Sequence, residues 1–214
     1  MYSRGFTSGK EREHILIENQ KSSEKLRFAS SLFKTPTRPT NFQEKLSSDI
    51  TYEVKEEYID GSCYEGQKQR GMKHGRGKFV SCTGEILEGE WKNNDMDGFG
   101  TMYYRDGRIA YQGDWKRGRF HGKGAVYNIN PVPCTGGINW KDFNEIEEYW
   151  IKYEGRFLLD QKHGVGLLTL SNGDCFEGVF NNDVAHGKGK LTELNGTCHT
   201  GIWEYNIFVK TLQE

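Results

Sequence analysis

Proline, cysteine pairs and long apolar runs are scarce in this sequence of 214 residues. It has four prolines against 27 glycines, a ratio that disfavours a flexible Pro/Gly linker and indicates glycines at required backbone positions. No stretch approaches the ~20 apolar residues of a membrane-spanning helix. The five cysteines include no Cys-x-x-Cys pair, which fits a reducing compartment.

An excess of charge of one sign is also missing. The formal net charge is −1, so no overall field favours nucleic acid or a membrane surface as a partner. The first twenty residues contain no apolar segment, and we therefore expect no secretory signal. These features predict a cytoplasmic protein that does not bind nucleic acid.

What the sequence has instead is an internal repeat with a usual step of about 23 residues. Each copy begins with an aromatic or apolar residue two positions before a glycine. These leading glycines are Gly66, Gly89, Gly113, Gly155 and Gly178. A second glycine follows nine residues later, and a third two residues after that. Histidines precede four of the second glycines. They are His74, His121, His163 and His186. Spacing kept over five copies indicates a repeat architecture.

The spacing predicts two β-strands in each copy. In the first strand of the third copy, Tyr111, Gly113 and Trp115 share one face, because alternate residues of a strand point to the same side. In the second strand we expect Gly122 and Gly124 on that face as well, beneath rings that lie flat. The Asp-Gly and Asn-Gly pairs that close most copies predict tight type I′ turns into the next copy.

Two irregularities refine the predicted sheet. The step between the second and third copies is 24 residues, one longer than the usual step, and we expect a β-bulge near residues 108–110. Half-repeats flank the array. Residues 51–61 are predicted to form a lone strand, and residues 196–208 to begin a sixth copy that does not close. The total is about twelve strands.

Aligned in register, the copies resemble the MORN (membrane occupation and recognition nexus) repeat, most clearly in YQGDWKRGRFHGKGAVY, residues 111–127. The resemblance covers about residues 61–205. It implies an all-β fold, an elongated single-layer antiparallel sheet of stacked hairpins. The first copy departs from the pattern with Lys68 where tryptophan is expected, and the fourth and fifth carry Phe157 and Phe180 there.

The repeats set the predicted domain boundaries. Residues 1–50 form an arm, irregular or in short helices, that is disordered or bound to a partner. Residues 51–208 form the repeat domain, with five full repeats, half-repeat caps and an insertion at 129–150. Residues 209–214 form a C-terminal tail. The insertion is rich in aromatic and acidic residues. Either it projects as a binding loop, or its rings fold back on the sheet.

No motif indicates catalysis or a cofactor. The Gly-x-Gly pairs lack the following helix and the GK[ST] signature of a phosphate-binding loop. Histidines of neighbouring copies are expected two strands apart, about 10 Å, which is too far to share one zinc ion. We therefore expect a protein that is not an enzyme and has no cofactor or metal, in which the histidines stabilise turns.

The resemblance leaves two functions open. In the first, the chain is a structural scaffold that binds other protein subunits, such as another MORN protein, in a larger assembly. MORN-only chains of this size resemble components of ciliary axonemes, such as radial spoke heads, and of cytoskeletal structures. This implies a cytoskeletal location, in the axoneme of a cilium or flagellum. Rings on the uncovered face and the insertion would bind the partner. They are Trp91, Tyr111, Trp115, Tyr153, Trp140, Phe143 and Trp150.

In the second, the chain is a peripheral membrane module that binds anionic phospholipids such as phosphoinositides. Basic residues near one turn would contact the headgroups. They are Lys116, Arg117, Arg119 and Lys123. Acidic residues are interleaved with the basic ones along the repeats, and a solvated face of mixed charge is the favoured interpretation. We therefore expect any membrane contact to be weak.

Overall fold

The computed structural model describes residues 50–134, 137–144, 146 and 148–212. Apart from Ile50, the predicted N-terminal arm lies outside this part of the chain. The described residues contain thirteen strands and no helix. The strands form one sheet whose order follows the sequence, and every neighbouring pair is antiparallel. The predicted single-layer all-β fold is confirmed.

The strands are β1 (Thr51–Glu57), β2 (Cys63–Gln69), β3 (Met72–Val80), β4 (Ile86–Lys92), β5 (Asp95–Tyr103), β6 (Ile109–Lys116), β7 (Arg119–Tyr127), β8 (Trp150–Leu158), β9 (Gln161–Leu170), β10 (Cys175–Asn181), β11 (Val184–Thr192), β12 (Cys198–Glu204) and β13 (Ile207–Thr211). Each full repeat contributes one hairpin. The five hairpins are β2–β3, β4–β5, β6–β7, β8–β9 and β10–β11.

Two kinds of turn connect the strands. Inside each repeat the turn has two residues with positive φ, such as Arg117 (50°) and Gly118 (73°), which is type I′ geometry. Between repeats the loop is longer. The Gly107 N–H donates to the Tyr104 carbonyl at 2.9 Å, and Gly107 has a φ of 84°, as in a type I turn followed by a left-handed residue. The prediction of type I′ turns at the Asp-Gly and Asn-Gly pairs is therefore wrong.

Every repeat contains a bulge next to its two-residue turn. In the third repeat Gly113 pairs with Gly124, whereas Trp115 pairs with Phe120. A step of two residues in β6 therefore matches a step of four in β7. The other four hairpins show the same shift. The bulge increases the local twist of the strands and changes which residues of the second strand face the rings.

Gly122 shows the effect of this bulge. A Cβ atom at Gly122 would lie 2.5 Å from a carboxylate oxygen of Asp114, a residue on the other face of the sheet from the rings. Its φ of 62° lies in the left-handed region, where glycine carries no steric penalty. The prediction that Gly122 shares the face of Gly124 is therefore wrong. The left-handed backbone conformation at position 122, rather than a ring above it, is the reason for a glycine there.

The extra residue of the third copy is a bulge, as predicted. Met102 pairs with Tyr111 and Tyr103 with Ile109, which leaves Ala110 without a partner in the ladder. The C-terminal end of the sheet differs from the prediction. The sixth copy closes into a hairpin, since β12 pairs with β13. The sheet therefore has thirteen strands rather than twelve, and the boundary predicted at residue 208 falls inside β13.

The two faces of the sheet differ in chemistry. The aromatic face carries the core, and the residues four positions after each second glycine are buried on it. These residues are Phe79, Met102, Val126, Leu168 and Leu191. The opposite face, called the charged face below, is mostly polar and solvent-exposed. Its residues include Glu65, Lys78, Glu88, Gln112, Asp114, Lys123, Glu154, Glu177 and Lys190.

The insertion folds back on the C-terminal part of the sheet, the second of the two predicted alternatives. Phe143 is buried, with its ring centre 4.5 Å from that of Phe176. The Phe143 N–H donates to the Asn206 carbonyl at 2.8 Å, and the Phe208 N–H donates to the Lys141 carbonyl at 2.9 Å. The insertion thus satisfies backbone groups on the outer edge of β13, which an open sheet would leave unpaired.

Candidate interaction surfaces

The rings predicted to bind a partner pack against one another on the aromatic face. Tyr111 stacks on Phe120 with ring centres 3.7 Å apart, and meets Trp115 and Phe157 edge-on at 5.2 and 5.3 Å. The Trp115 indole N–H donates to the Gly100 carbonyl at 3.0 Å. The edge-on arrangement is a favourable aromatic geometry. The contact with Phe157 connects the third repeat to the fourth, and the bond to Gly100 connects it to the second.

This packing leaves little ring surface exposed. The four predicted residues of the sheet are 4% exposed or less. They are Trp91, Tyr111, Trp115 and Tyr153. The expectation that this face would remain uncovered without a second layer is therefore wrong, because glycine slots let the rings lie on the backbone and neighbouring repeats cover their edges. Binding of a partner by these rings remains a prediction.

The tyrosines of this face are also held through their hydroxyl groups. Tyr111 donates to the Asp114 carbonyl at 2.8 Å, and Tyr153 donates to the Arg156 carbonyl at 3.0 Å. Burial raises the pKa of both phenols far above the ordinary value, because the charged form would be poorly solvated. Both hydroxyls therefore remain protonated donors that fix the rings over the glycines.

The three predicted residues of the insertion have different environments. Phe143 is part of the core. Trp140 is half-buried and stacks on His199 with ring centres 4.0 Å apart. Trp150 is half-buried and is the first residue of β8. Of the three, Trp140 and Trp150 retain surface that a partner could contact.

The first repeat places a lysine in the core, which sequence reasoning missed. Lys73 is 1% exposed, and its Nζ atom lies 4.1 Å from the ring centre of Phe79 and 5.0 Å from that of Trp91. Burial lowers its pKa to about 8. Alignment of the repeats could have revealed it, because the equivalent residues of the next two copies are Met96 and Phe120.

The predicted lipid-binding residues are exposed around the turn of the β6–β7 hairpin. Lys116 pairs with Arg119 across the hairpin, and Arg117 lies in the turn itself. The backbone N–H of Arg117 donates to the Asp97 carboxylate at 3.3 Å. Lys123 lies further along β7, on the charged face. Three basic side chains therefore project from one turn, with a carboxylate beside them.

The histidines and cysteines are not gathered into a site. The cysteines are spread along the sheet and the insertion, and Cys63, Cys82, Cys175 and Cys198 are free thiols. Among the described residues, no group of three or more His, Cys, Asp or Glu side chains is arranged to hold a metal ion. In the same part of the chain, no helix has the length and apolar character needed to cross a membrane.

Stacked hairpins joined by ring contacts define this chain as a β-repeat protein. The family model of the MORN repeat matches it at residues 64–86, 88–107, 111–125, 153–175 and 176–197. These five matches follow the five hairpins. The chain therefore belongs to the MORN repeat proteins. Members of this family are generally non-catalytic repeat scaffolds. The repeats suggest a protein-interaction or membrane-associated module.

One curated protein and one solved structure are partly similar to this chain. The chain is 33% identical over 99 residues to MORN repeat-containing protein 3 of Xenopus laevis, which covers 46% of this chain and 35% of that protein. The aligned part thus spans about a third of the relative. A solved structure, the SAS-4 (dCPAP) TCP domain in complex with a proline-rich motif of Ana2 (dSTIL) of Drosophila melanogaster, has a TM-score of 0.35 at 12% identity. It covers 78% of this chain and 86% of that one, and nothing about this chain follows from it.

Proposed function

We propose that this chain is a non-enzymatic scaffold that binds other protein subunits within a cytoplasmic, cytoskeletal assembly, the axoneme of a cilium or flagellum. The observation that carries the proposal is the chain of ring contacts between repeats. Tyr111 touches Phe157 of the next repeat at 5.3 Å, and Phe176 touches Trp203 at 5.0 Å. Repeats that contact only their neighbours in this way form a quasi-one-dimensional array with an extended surface.

The exposure of the charged face also supports a scaffold. The rings are engaged inside the sheet, while most residues of the charged face are solvent-exposed, apart from the buried Thr101 and Ala125, and offer a surface to partner chains. The axonemal location rests on the resemblance to MORN-only chains of similar size. Another MORN protein is one partner that such a scaffold would bind.

The test is fractionation of ciliated cells that express the full-length chain with a tag. We expect the chain to remain in the axoneme after detergent extraction. Cross-linking mass spectrometry on those axonemes should join its lysines to fixed subunits. Complete release of the chain into the detergent extract would contradict the proposal.

A second candidate function is binding to anionic phospholipids, favoured by the three basic side chains on the β6–β7 turn. Charges near a lipid surface contribute about 1 kcal/mol each. We expect weak flotation with phosphoinositide vesicles at about 150 mM salt. Reversing the charges of Lys116, Arg117 and Arg119 should abolish any flotation. Reversing Lys188 and Lys190 on the charged face is the matched control and should leave it unchanged.

A further inference from the structure

The two-residue turns inside the repeats, together with the turn of the sixth copy, form one edge of the sheet, called the turn edge below. These turns are Arg70-Gly71, Asn93-Asn94, Arg117-Gly118, Leu159-Asp160, Asn182-Asp183 and Tyr205-Asn206. The backbone ladder between two repeats stops short of this edge. Between the second and third repeats, for example, its last pair is Gly98 with Trp115, and the turn lies beyond it. Bonds outside the ladder must therefore hold a turn against the preceding repeat.

A pair of hydrogen bonds does this in four of the turns, and it is called the turn lock below. In the second repeat the Asn94 N–H donates to the Lys73 carbonyl at 3.0 Å, and the Lys73 N–H donates back to the Asn94 side-chain oxygen at 2.9 Å. The same two bonds join Asp160 to Phe120, Asp183 to Lys162 and Asn206 to Ala185. Asparagine and aspartate suit this position because they tolerate a positive φ and offer an oxygen to a backbone N–H.

The turn of the third repeat has only the backbone half of the lock. The Gly118 N–H donates to the Met96 carbonyl at 2.9 Å, as its equivalents do in the other turns. Glycine has no side chain, so this turn offers no acceptor to the Met96 N–H in return. Met96 is 2% exposed, and water therefore replaces that acceptor poorly. One bond holds this turn where two hold each locked turn.

Two side-chain links beside the turn limit how far it can move. On the aromatic face the Trp115 indole N–H donates to the Gly100 carbonyl at 3.0 Å, which fixes β6 before its turn begins. At the turn edge the Arg117 N–H donates to the Asp97 carboxylate at 3.3 Å, slightly longer than the usual limit of about 3.2 Å for such a bond. Motion is therefore confined to the residues that follow Trp115.

We propose that the β6–β7 turn swings away from the second repeat while the sheet around it stays folded. Loss of one of two bonds to a neighbour lowers the free energy of a local opening. Lys116, Arg117 and Arg119 lie at this turn, so its three basic side chains are carried by a part of the turn edge that changes position. The inference concerns a motion of the chain itself and holds whichever partner the scaffold binds.

Amide hydrogen exchange of the full-length chain, followed by NMR, tests this proposal. The Gly118 N–H makes the same backbone bond as the four amides of the locked turns, at 2.9 to 3.0 Å, so their protection factors compare the turns directly. We expect protection of the Gly118 amide to be lower than that of the other four by about fivefold or more, because one net hydrogen bond is missing. Equal protection of the five amides would overturn the proposal.

Gly118→Asn supplies the missing acceptor. Gly118 has a φ of 73° and Asn94 a φ of 75°, so asparagine fits the backbone there. The variant should raise protection of the amide at position 118 to the level of the locked turns. Gly71→Asn is the matched control. Its φ is 72°, a Cβ atom there meets nothing within 4 Å, and no full repeat precedes it. This control should leave the amide at position 118 unchanged.

Asn94→Gly makes the converse change, and keeps the test independent of how asparagine packs at position 118. It removes the side-chain bond from the turn of the second repeat and keeps the backbone bond. Protection of the amide at position 94 should fall about fivefold, while amides of β8–β13 should keep theirs, because repeats contact only their neighbours. Unchanged protection at position 94 would overturn the proposal. So would a folded Gly118→Asn variant whose amide at position 118 exchanges as fast as in wild type.

Discussion

The ring of Tyr111 lies flat across Gly124, at a distance that leaves no room for a side chain. A Cβ atom on Gly124 would lie 2.4 Å from the Tyr111 hydroxyl oxygen and 2.6 Å from its Cζ atom. The fourth repeat has the same arrangement, with Tyr153 across Gly166 at 2.4 Å. This close approach is how a single-layer sheet buries large rings, because the ring uses the backbone of the next strand as its second wall.

Gly124→Val should therefore destabilise the protein by more than about 1 kcal/mol, since either the ring or the strand must move. Urea denaturation of the full-length chain measures the effect. Gly137→Ala is the matched control, because a Cβ atom there meets nothing within 4 Å, and its unfolding free energy should stay within about 0.5 kcal/mol of wild type. Equal stability of the two variants would show that the slot above Gly124 is not tight.

Periodicity predicted the sheet, its two faces and the bulge at Ala110, because these follow from spacing alone. It could not assign the turns correctly. One of the two-residue turns is Leu159-Asp160, which contains no glycine to indicate a turn. The Asp-Gly pairs, which suggest type I′ turns, lie in longer loops instead. The position of Phe143 in the core could not be predicted from the sequence either, because the insertion is not part of a repeat and its spacing fixes no register.

The turn of the fourth repeat offers a stabilising substitution. Leu159 has a φ of 52°, in the left-handed region, and its side chain is exposed. Asparagine tolerates this conformation better than leucine, and Asn93 and Asn182 occupy the same place in two other turns. Leu159→Asn should raise the unfolding free energy by about 0.5–1 kcal/mol.

Thermal and urea unfolding measure this gain. The control is Leu158→Asn, one residue earlier in β8, where the backbone is extended and the side chain is also exposed. Asparagine is disfavoured in strands, so the control should be neutral or destabilising. A stabilisation of the same size at position 158 would mean that removal of an exposed leucine, rather than backbone strain, explains the result.

The buried ammonium of Lys73 makes stability depend on pH. Burial lowers its pKa to about 8 from the usual 10.5. Between these values the unfolded chain holds a proton that the folded chain has lost. Unfolding free energy should therefore rise with pH through this window, by at most about 1.4 kcal/mol per unit. Urea denaturation between pH 7.5 and about 9 tests this, because most tyrosines of the unfolded chain are still protonated there.

Lys73→Met is the decisive variant for this dependence. Methionine fills the same slot in the second repeat, as Met96, and has no charge to desolvate. The variant should be more stable than wild type at pH 7.5 and should lack the rise in stability toward about pH 9. The same rise in the variant would assign the pH dependence to another group.

The insertion should stabilise the C-terminal repeats and leave the N-terminal ones unaffected. Phe143 packs on Phe176 and Trp203, with ring centres 4.5 and 5.7 Å away. Phe143→Ala should therefore cost about 3 kcal/mol. Repeats contact only their neighbours, so hydrogen exchange should show lost protection in β10–β13 and little change in β2–β5. Lys141→Ala, at an exposed position two residues away, should change neither region. A uniform loss across the sheet would mean that the thirteen strands unfold as one unit, and that the insertion stabilises the whole array rather than its end.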